Sequence, residues 1–209
     1  LKKHKSKGNY DCLIPVSGGK DGSYVAHKIR DDLGLKPLTV TSRPPLETDI
    51  GKKNIIKFLE HDFDHVHVTA NYTAMRKLNK LGFIKKGFPY YGWLVSVFSA
   101  VVRVALQYKI NLIFYAEDGE IEYGGSTENK NKPIFDVKYI IKNYFEGGHH
   151  KILKESKLNK KDLYWFEFPE KEIKKNKISL THWSYFEPWD SYRNYLVTKE
   201  KYNLYEKEG

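Results

Sequence analysis

Two kinds of run alternate along this chain, and their order predicts an open, mostly parallel sheet. Asp11-Cys12-Leu13-Ile14-Pro15-Val16 is short and nearly all apolar, as a strand buried on both faces is. Residues Pro37 to Thr41 and Asn111 to Ala116 read the same way, and Asp64 to Thr69 alternates as a strand between them. Helices fill the gaps. Ser23 to Leu33 predicts one, with Gly34 to stop it in a left-handed conformation. Gly51 to Glu60 predicts a second, with Thr48 or Asp49 as its cap, and Tyr72 to Leu81 a third. Trp93 to Tyr108 is apolar nearly all round and reads as a core helix. Its apolar stretch is too short to span a bilayer and contains Arg103, so no membrane span is expected.

Strands alternating with helices imply right-handed crossovers and an α/β fold, a sheet covered on both faces. Ligands of such sheets bind beyond the carboxyl ends of the strands. The Ser17–Gly22 loop and the turn Glu117-Asp118-Gly119 both follow strands at that edge. Beyond about His150 the alternation stops and Lys, Trp and Tyr accumulate. The expected division is therefore an α/β domain over residues 1–148 and an appended, partly helical region over 149–209.

Composition narrows the class. With 209 residues, 40% hydrophobic and 30% charged, the chain has the make-up of a soluble globular protein with one substantial core. Its net charge of +10 favours anionic partners: ATP, nucleotide sugars, an acidic subunit or nucleic acid. Much of the excess is lysine spread between Lys151 and Lys177, as on a solvated face, so nucleic acid is the less favoured partner. A single cysteine, Cys12, excludes an intramolecular disulfide or a multi-cysteine metal site within this segment, and its apolar run makes it a buried small hydrophobe. Nothing at the N-terminus resembles a signal peptide; these features fit the cytoplasm. The chain starts at Leu1 and stops in a polar run at Gly209, so a fragment of a longer protein is expected.

The chemistry concentrates in Ser17-Gly18-Gly19-Lys20-Asp21-Gly22-Ser23. Adjacent glycines after a strand let backbone N–H groups turn toward an anion, and the following helix adds the positive end of its dipole. Ser17 and Ser23 offer hydroxyl donors and Lys20 a cation. Asp21 would repel phosphate unless a divalent cation bridged them, which makes it a candidate Mg²⁺ ligand. The loop matches neither the Walker A pattern nor the Gly-x-Gly-x-x-Gly fingerprint of dinucleotide sites.

This loop resembles the Ser-Gly-Gly-x-Asp-Ser motif of the ATP pyrophosphatases, or PP-loop enzymes. That superfamily, which includes GMP synthetase, asparagine synthetase, NAD synthetase and tRNA-modifying enzymes, cleaves ATP between its α and β phosphates. Here Gly22 stands where the motif has serine, and Ser23 one place later is expected to take over. Residues 87–93 (Gly-Phe-Pro-Tyr-Tyr-Gly-Trp), 114–125 (Phe-Tyr-Ala-Glu-Asp-Gly-Glu-Ile-Glu-Tyr-Gly-Gly) and 181–186 (Thr-His-Trp-Ser-Tyr-Phe) extend the likeness to the N-acetyl sugar amidotransferases of bacterial surface-glycan biosynthesis. Members of that family are longer, with a cysteine-bearing N-terminal part and a helical C-terminal part.

The resemblance implies an enzyme that adenylates the carbonyl oxygen of a sugar acetamido group and replaces it with ammonia. ATP and Mg²⁺ would be its cofactors, an N-acetylated sugar or nucleotide sugar its substrate, and a separate glutaminase subunit its ammonia source. It implies ATP contacts from Ser17 to Ser23, from Val40 and Thr41 beside the adenine, and from Asn54 and Gly119. Lys20, Asp21, Glu117 and Asp118 would be catalytic, with Asp21 and Asp118 holding the metal. Tyr90, Tyr91, Trp93, Glu122, Tyr123 and Arg43 are the substrate candidates. His149 and His150, being neighbours rather than one turn apart, make a poor metal pair, and His182 among aromatics reads as packing. Two alternatives stay open: a tRNA-modifying PP-loop ATPase of the lysidine or thiolation type, and a non-enzymatic nucleotide sensor.

Overall fold

The computed structural model describes residues 8–116, 133–134 and 137–206. Five parallel strands form the sheet: β1 (Cys12–Pro15), β2 (Pro37–Ser42), β3 (His65–Val68), β4 (Leu112–Tyr115) and β5 (Ser179–His182). Their order is β3-β2-β1-β4-β5, so the chain reverses its direction of winding between β1 and β4. The principal helices are α1 (Lys20–His27), α2 (Asp49–Leu59), α3 (Tyr72–Lys86), α4 (Tyr91–Gln107), α5 (His150–Glu155), α6 (Glu170–Asn176) and α7 (Ser191–Tyr202). This is the expected α/β architecture with helices on both faces.

Side-chain alternation on the strands divides the core in two. Leu13, Leu38, Val40 and Ile113 pack with α3 and α4, whereas Cys12, Ile14, Leu112 and Phe114 join the cluster of Val25, Ile29, Phe58 and Tyr202. Cys12 is fully buried, and burial, then the charge of Asp11, pushes its thiol far up, as befits a packing residue.

Three helices begin on side-chain caps. Thr48 accepts from the Gly51 N–H at 3.1 Å, Asn71 from Ala74 at 2.9 Å, and Asp190 from Tyr192 and Arg193 at 3.0 and 2.9 Å. The expected helix after β1 starts three residues early, at Lys20, and continues as a π-helical turn over Lys28–Asp32 before Gly34, at φ +63°, ends it. Helix α3 runs past Leu81 to Lys86. Within it Gly82 makes room for a neighbour, since a Cβ there would lie 2.2 Å from the Cβ of Tyr91.

One strand was not expected. Ser179–His182 pairs with β4 in the same sheet, so residues 149–209 contribute an edge strand as well as helices. No single helix among the described residues is long and apolar enough to cross a membrane.

Candidate functional site

The β1–α1 loop lies at the carboxyl edge of the sheet, at the strand where winding reverses, the place where open α/β sheets bind ligands. None of the backbone N–H groups from Ser17 to Gly22 donates to a carbonyl among the described residues. Helix α1 also has no side-chain cap, unlike α2, α3 and α7. A run of open N–H groups at a helix start presents concentrated positive potential to an anion.

Two glycines shape this run. Gly18 has φ +80°, and a Cβ on it would lie 2.8 Å from the Ile55 nitrogen and 2.9 Å from the Gly51 oxygen, so the loop rests directly on α2. A Cβ on Gly22 would lie 2.9 Å from the Pro15 oxygen and 3.1 Å from the Val16 Cα. The serine of the resembled motif would not fit this backbone. Nor does Ser23 replace it. That side chain is fully buried, and its hydroxyl donates to the Gly19 carbonyl at 2.9 Å, which leaves Ser17 as the exposed hydroxyl of the loop.

Lys20 and Asp21 are paired, Nζ to Oδ2 at 2.6 Å. Asp21 is only 5% exposed, and its Oδ1 accepts from Nδ2 of Asn194, a fully buried residue of α7. The same segment grips α1 one turn on. Tyr24 donates to Glu187 Oε1 at 2.6 Å, and Arg193 donates to that oxygen at 3.0 Å. Burial, then the bond to Glu187, drives the Tyr24 phenol well above its ordinary pKa. Sequence reasoning missed Asn194.

Beside the loop a cavity of about 370 Å³ opens across the ends of β1, β2, β4 and β5. Ser17 and Gly22 line it, as do Val40, Leu94, Val97, Phe98, Val101, Tyr144 and His182. Three more lining residues carry buried polar atoms with no hydrogen-bond partner among the described residues: Ser42 Oγ, Trp93 Nε1 and the Tyr115 hydroxyl. Burial, then the neighbouring Tyr144, raises the Tyr115 phenol strongly. An apolar chamber with a few unanswered polar groups has the make-up of a ligand pocket.

Of the expected substrate and nucleotide residues outside the loop, Val40 and Trp93 line this cavity. Thr41 does not offer its hydroxyl, which donates to the Val16 carbonyl at 2.6 Å. Tyr91 is framework rather than a substrate contact: 1% exposed, it donates to the carbonyls of Phe145 and Gly148 at 3.0 and 2.9 Å. Tyr90 is exposed at the start of α4. Asn54 is a tether. Its amide donates to the Tyr205 oxygen at 3.0 Å and accepts from the Tyr205 nitrogen at 2.7 Å, which ties α2 to the chain beyond α7. Arg43 pairs with Glu47 at 3.2 Å and lines a separate cavity of about 530 Å³ with Lys52 and Tyr72. Glu117, Asp118, Gly119, Glu122 and Tyr123 lie outside the described residues.

His149, His150 and Glu170 group their ligand-type atoms within 4.8 Å. Yet His149 Nε2 accepts the Phe168 N–H at 3.1 Å, so the ring proton of the neutral imidazole sits on Nδ1 and neither nitrogen is open to a metal. Burial, then His150, holds the pKa of His149 down at about 3.

No protein-family model matches the chain, and no curated protein matches it. Among solved structures it is similar to a predicted subunit of tRNA methyltransferase from Methanocaldococcus jannaschii, at 17% identity and TM-score 0.36, over 59% of this chain and 60% of that one. It is similar to NMN synthetase from Francisella tularensis at 12% identity and TM-score 0.43, over 85% and 89% of the two chains. A third is the U34-tRNA thiolase NcsA from Methanococcus maripaludis with its 4Fe–4S cluster, at 13% identity and TM-score 0.45, over 99% and 78%.

Proposed function

We propose that this chain is an ATP-using enzyme of the ATP pyrophosphatase kind, and that it converts the acetamido group of an N-acetylated sugar or nucleotide sugar into an acetamidino group. The observation that carries the reading is the row of N–H groups from Ser17 to Gly22 that meet no acceptor among the described residues, with two of those residues lining a largely apolar cavity. The motif likeness of residues 17–23 and the later aromatic motifs supports it.

An amide oxygen leaves carbon poorly. If that oxygen attacks the α-phosphorus of ATP, an O–P bond forms, the bond to the β-phosphate breaks and pyrophosphate departs. Charge accumulates on the leaving pyrophosphate, and amides fixed in a turn stabilise it without reorganising. Lys20 adds its charge by exchanging Asp21 for a phosphate oxygen. Ammonia then attacks the activated carbon, the C–O bond breaks, and AMP leaves with the former amide oxygen while nitrogen gives up its proton.

Asp21 fits a magnesium site: a cation already stands 2.6 Å from its Oδ2, and Mg²⁺ commonly uses one or two carboxylates plus substrate phosphates. Bound there, it would neutralise phosphate charge. Asp118 would be the second carboxylate. No carboxylate or ammonium of the described residues lines the cavity. It therefore suits an uncharged group such as an acetamido better than a lysine ammonium, and Trp93 Nε1–H suits a carbonyl acceptor. The fully buried Cys12 leaves no thiol for a glutaminase centre among the described residues, so ammonia would come from solution or a separate glutaminase.

The test is nucleotide product analysis with ATP, Mg²⁺ and ammonia, run with an N-acetylated nucleotide sugar, with tRNA, or with neither. AMP and pyrophosphate that depend on the sugar support the reading. Release that depends on tRNA alone replaces it with RNA modification, and binding without turnover replaces it with a nucleotide sensor.

A further inference from the structure

We infer that Asn194 is the positioning residue for the Asp21 carboxylate, so that the last described helix sets the magnesium requirement of the glycine loop. The inference rests on the nucleotide reading above and goes beyond it, because it assigns a role to a residue outside the loop and its motif.

Asp21 stands in the first turn of α1 and is almost wholly buried. A buried carboxylate needs a donor for each oxygen, or it loses its charge. Oδ2 faces the ammonium of Lys20, whose side chain is 36% exposed, whereas Oδ1 faces a donor that cannot leave. Asn194 is 0% exposed and lies in the first turn of α7, where its own N–H donates to the Asp190 carbonyl at 3.0 Å. The bond to Asp21 is 3.1 Å long and spans 173 positions of sequence. With Oδ1 fixed, the carboxylate keeps one rotamer. Oδ2 remains the oxygen that can trade Lys20 for a metal ion.

Nearby contacts anchor the arrangement without touching Asp21. Tyr24 and Arg193 both hold Glu187 Oε1, and the Arg193 guanidinium lies 5.2 Å from the Tyr24 ring centre. Arg193 also reaches Asn194 Oδ1 at 3.5 Å, so Tyr24, whose hydroxyl goes to Glu187, is the residue that separates loss of this latch from loss of Asn194. Partners that orient metal-ligating carboxylates typically contribute about 10–100-fold to metal affinity.

The experiment measures ATP binding by calorimetry, with and without Mg²⁺, in the whole protein. The readout is the ratio of the two affinities, with manganese and its electron paramagnetic resonance spectrum as a second probe. Asn194→Ala should lower the ratio by about tenfold or more while metal-free ATP binding stays within about twofold. Asn194→Asp keeps the volume and adds a second carboxylate, so the ratio should rise and manganese should bind without nucleotide. Tyr24→Phe should cost stability and leave the ratio unchanged. A ratio unchanged in both Asn194 variants, or both affinities falling by one factor, overturns the inference and leaves the nucleotide reading intact. Wild-type protein that binds neither ATP nor its magnesium complex overturns both.

Discussion

Replacing Gly18 with alanine perturbs the loop where its backbone has least freedom. Two costs combine. A non-glycine residue at φ +80° is strained by about 1–2 kcal/mol. The new methyl would also stand 2.8 Å from the Ile55 nitrogen and 2.9 Å from the Gly51 oxygen, both backbone atoms of α2 that cannot rotate away. Overpacking of that kind costs about 1–3 kcal/mol, and the two together give about 2–5 kcal/mol. Gly34 supplies the reference. It has φ +63°, and a methyl added there would meet nothing within 4 Å, so Gly34→Ala should lose the strain alone. Urea unfolding of both variants checks this through the shift in midpoint at constant slope. The difference between them isolates the contact with α2. Equal losses in the two variants would mean that the loop stands off α2, and the close seating argued for the anion cradle would be wrong.

Other perturbations separate site from scaffold. Lys20→Ala should weaken ATP binding measured by calorimetry and, because Oδ2 of the buried Asp21 loses its donor, cost about 1–3 kcal/mol in urea unfolding; unchanged binding would remove Lys20 from the site. Tyr91→Phe removes the hydroxyl from the carbonyls of Phe145 and Gly148 while Lys86 Nζ and the Gly148 N–H still serve the Phe145 oxygen, so it should cost about 0.5–1.5 kcal/mol in urea unfolding without altering ATP affinity. His149 has a folded pKa of about 3, below its unfolded value, so the unfolded chain takes up the proton first as pH falls. Stability should therefore decline from about pH 6.5 toward 3, by roughly 2 kcal/mol at pH 5. His149→Gln, which keeps an acceptor for Phe168 N–H and cannot titrate, should flatten that slope, and an unchanged slope would assign it elsewhere.

The sheet was largely legible because its first four strands are short apolar or alternating runs, each followed by glycine, proline or a helical pattern. The strand β5 was not. It is four residues long with Ser179, Thr181 and His182 all buried, so it has no apolar run; its alternation lasts only from Ile178 to Thr181, and it follows a lysine-rich stretch. The loop could be found from its glycines, since Gly18 does adopt the left-handed conformation its position requires. Which aromatics reach the cavity was not legible. With the helix expected only from Trp93, the rings of residues 88–92 carry no face, but α4 already begins at Tyr91, and positions two apart on a helix face nearly opposite ways. Tyr91 therefore turns to the scaffold and Trp93 to the cavity. Asn194 left no local signal, because a polar residue on a helix ordinarily faces water and its partner lies far away in sequence.

The most direct test follows one atom. A nucleotide sugar whose acetamido carbonyl carries heavy oxygen would be incubated with the protein, ATP, Mg²⁺ and ammonia, and the nucleotide products analysed by mass spectrometry. Adenylation of that oxygen at the carboxyl edge of the sheet predicts the label in AMP and unlabelled pyrophosphate. Label found in inorganic phosphate with ADP formed, or AMP released without label, would contradict it.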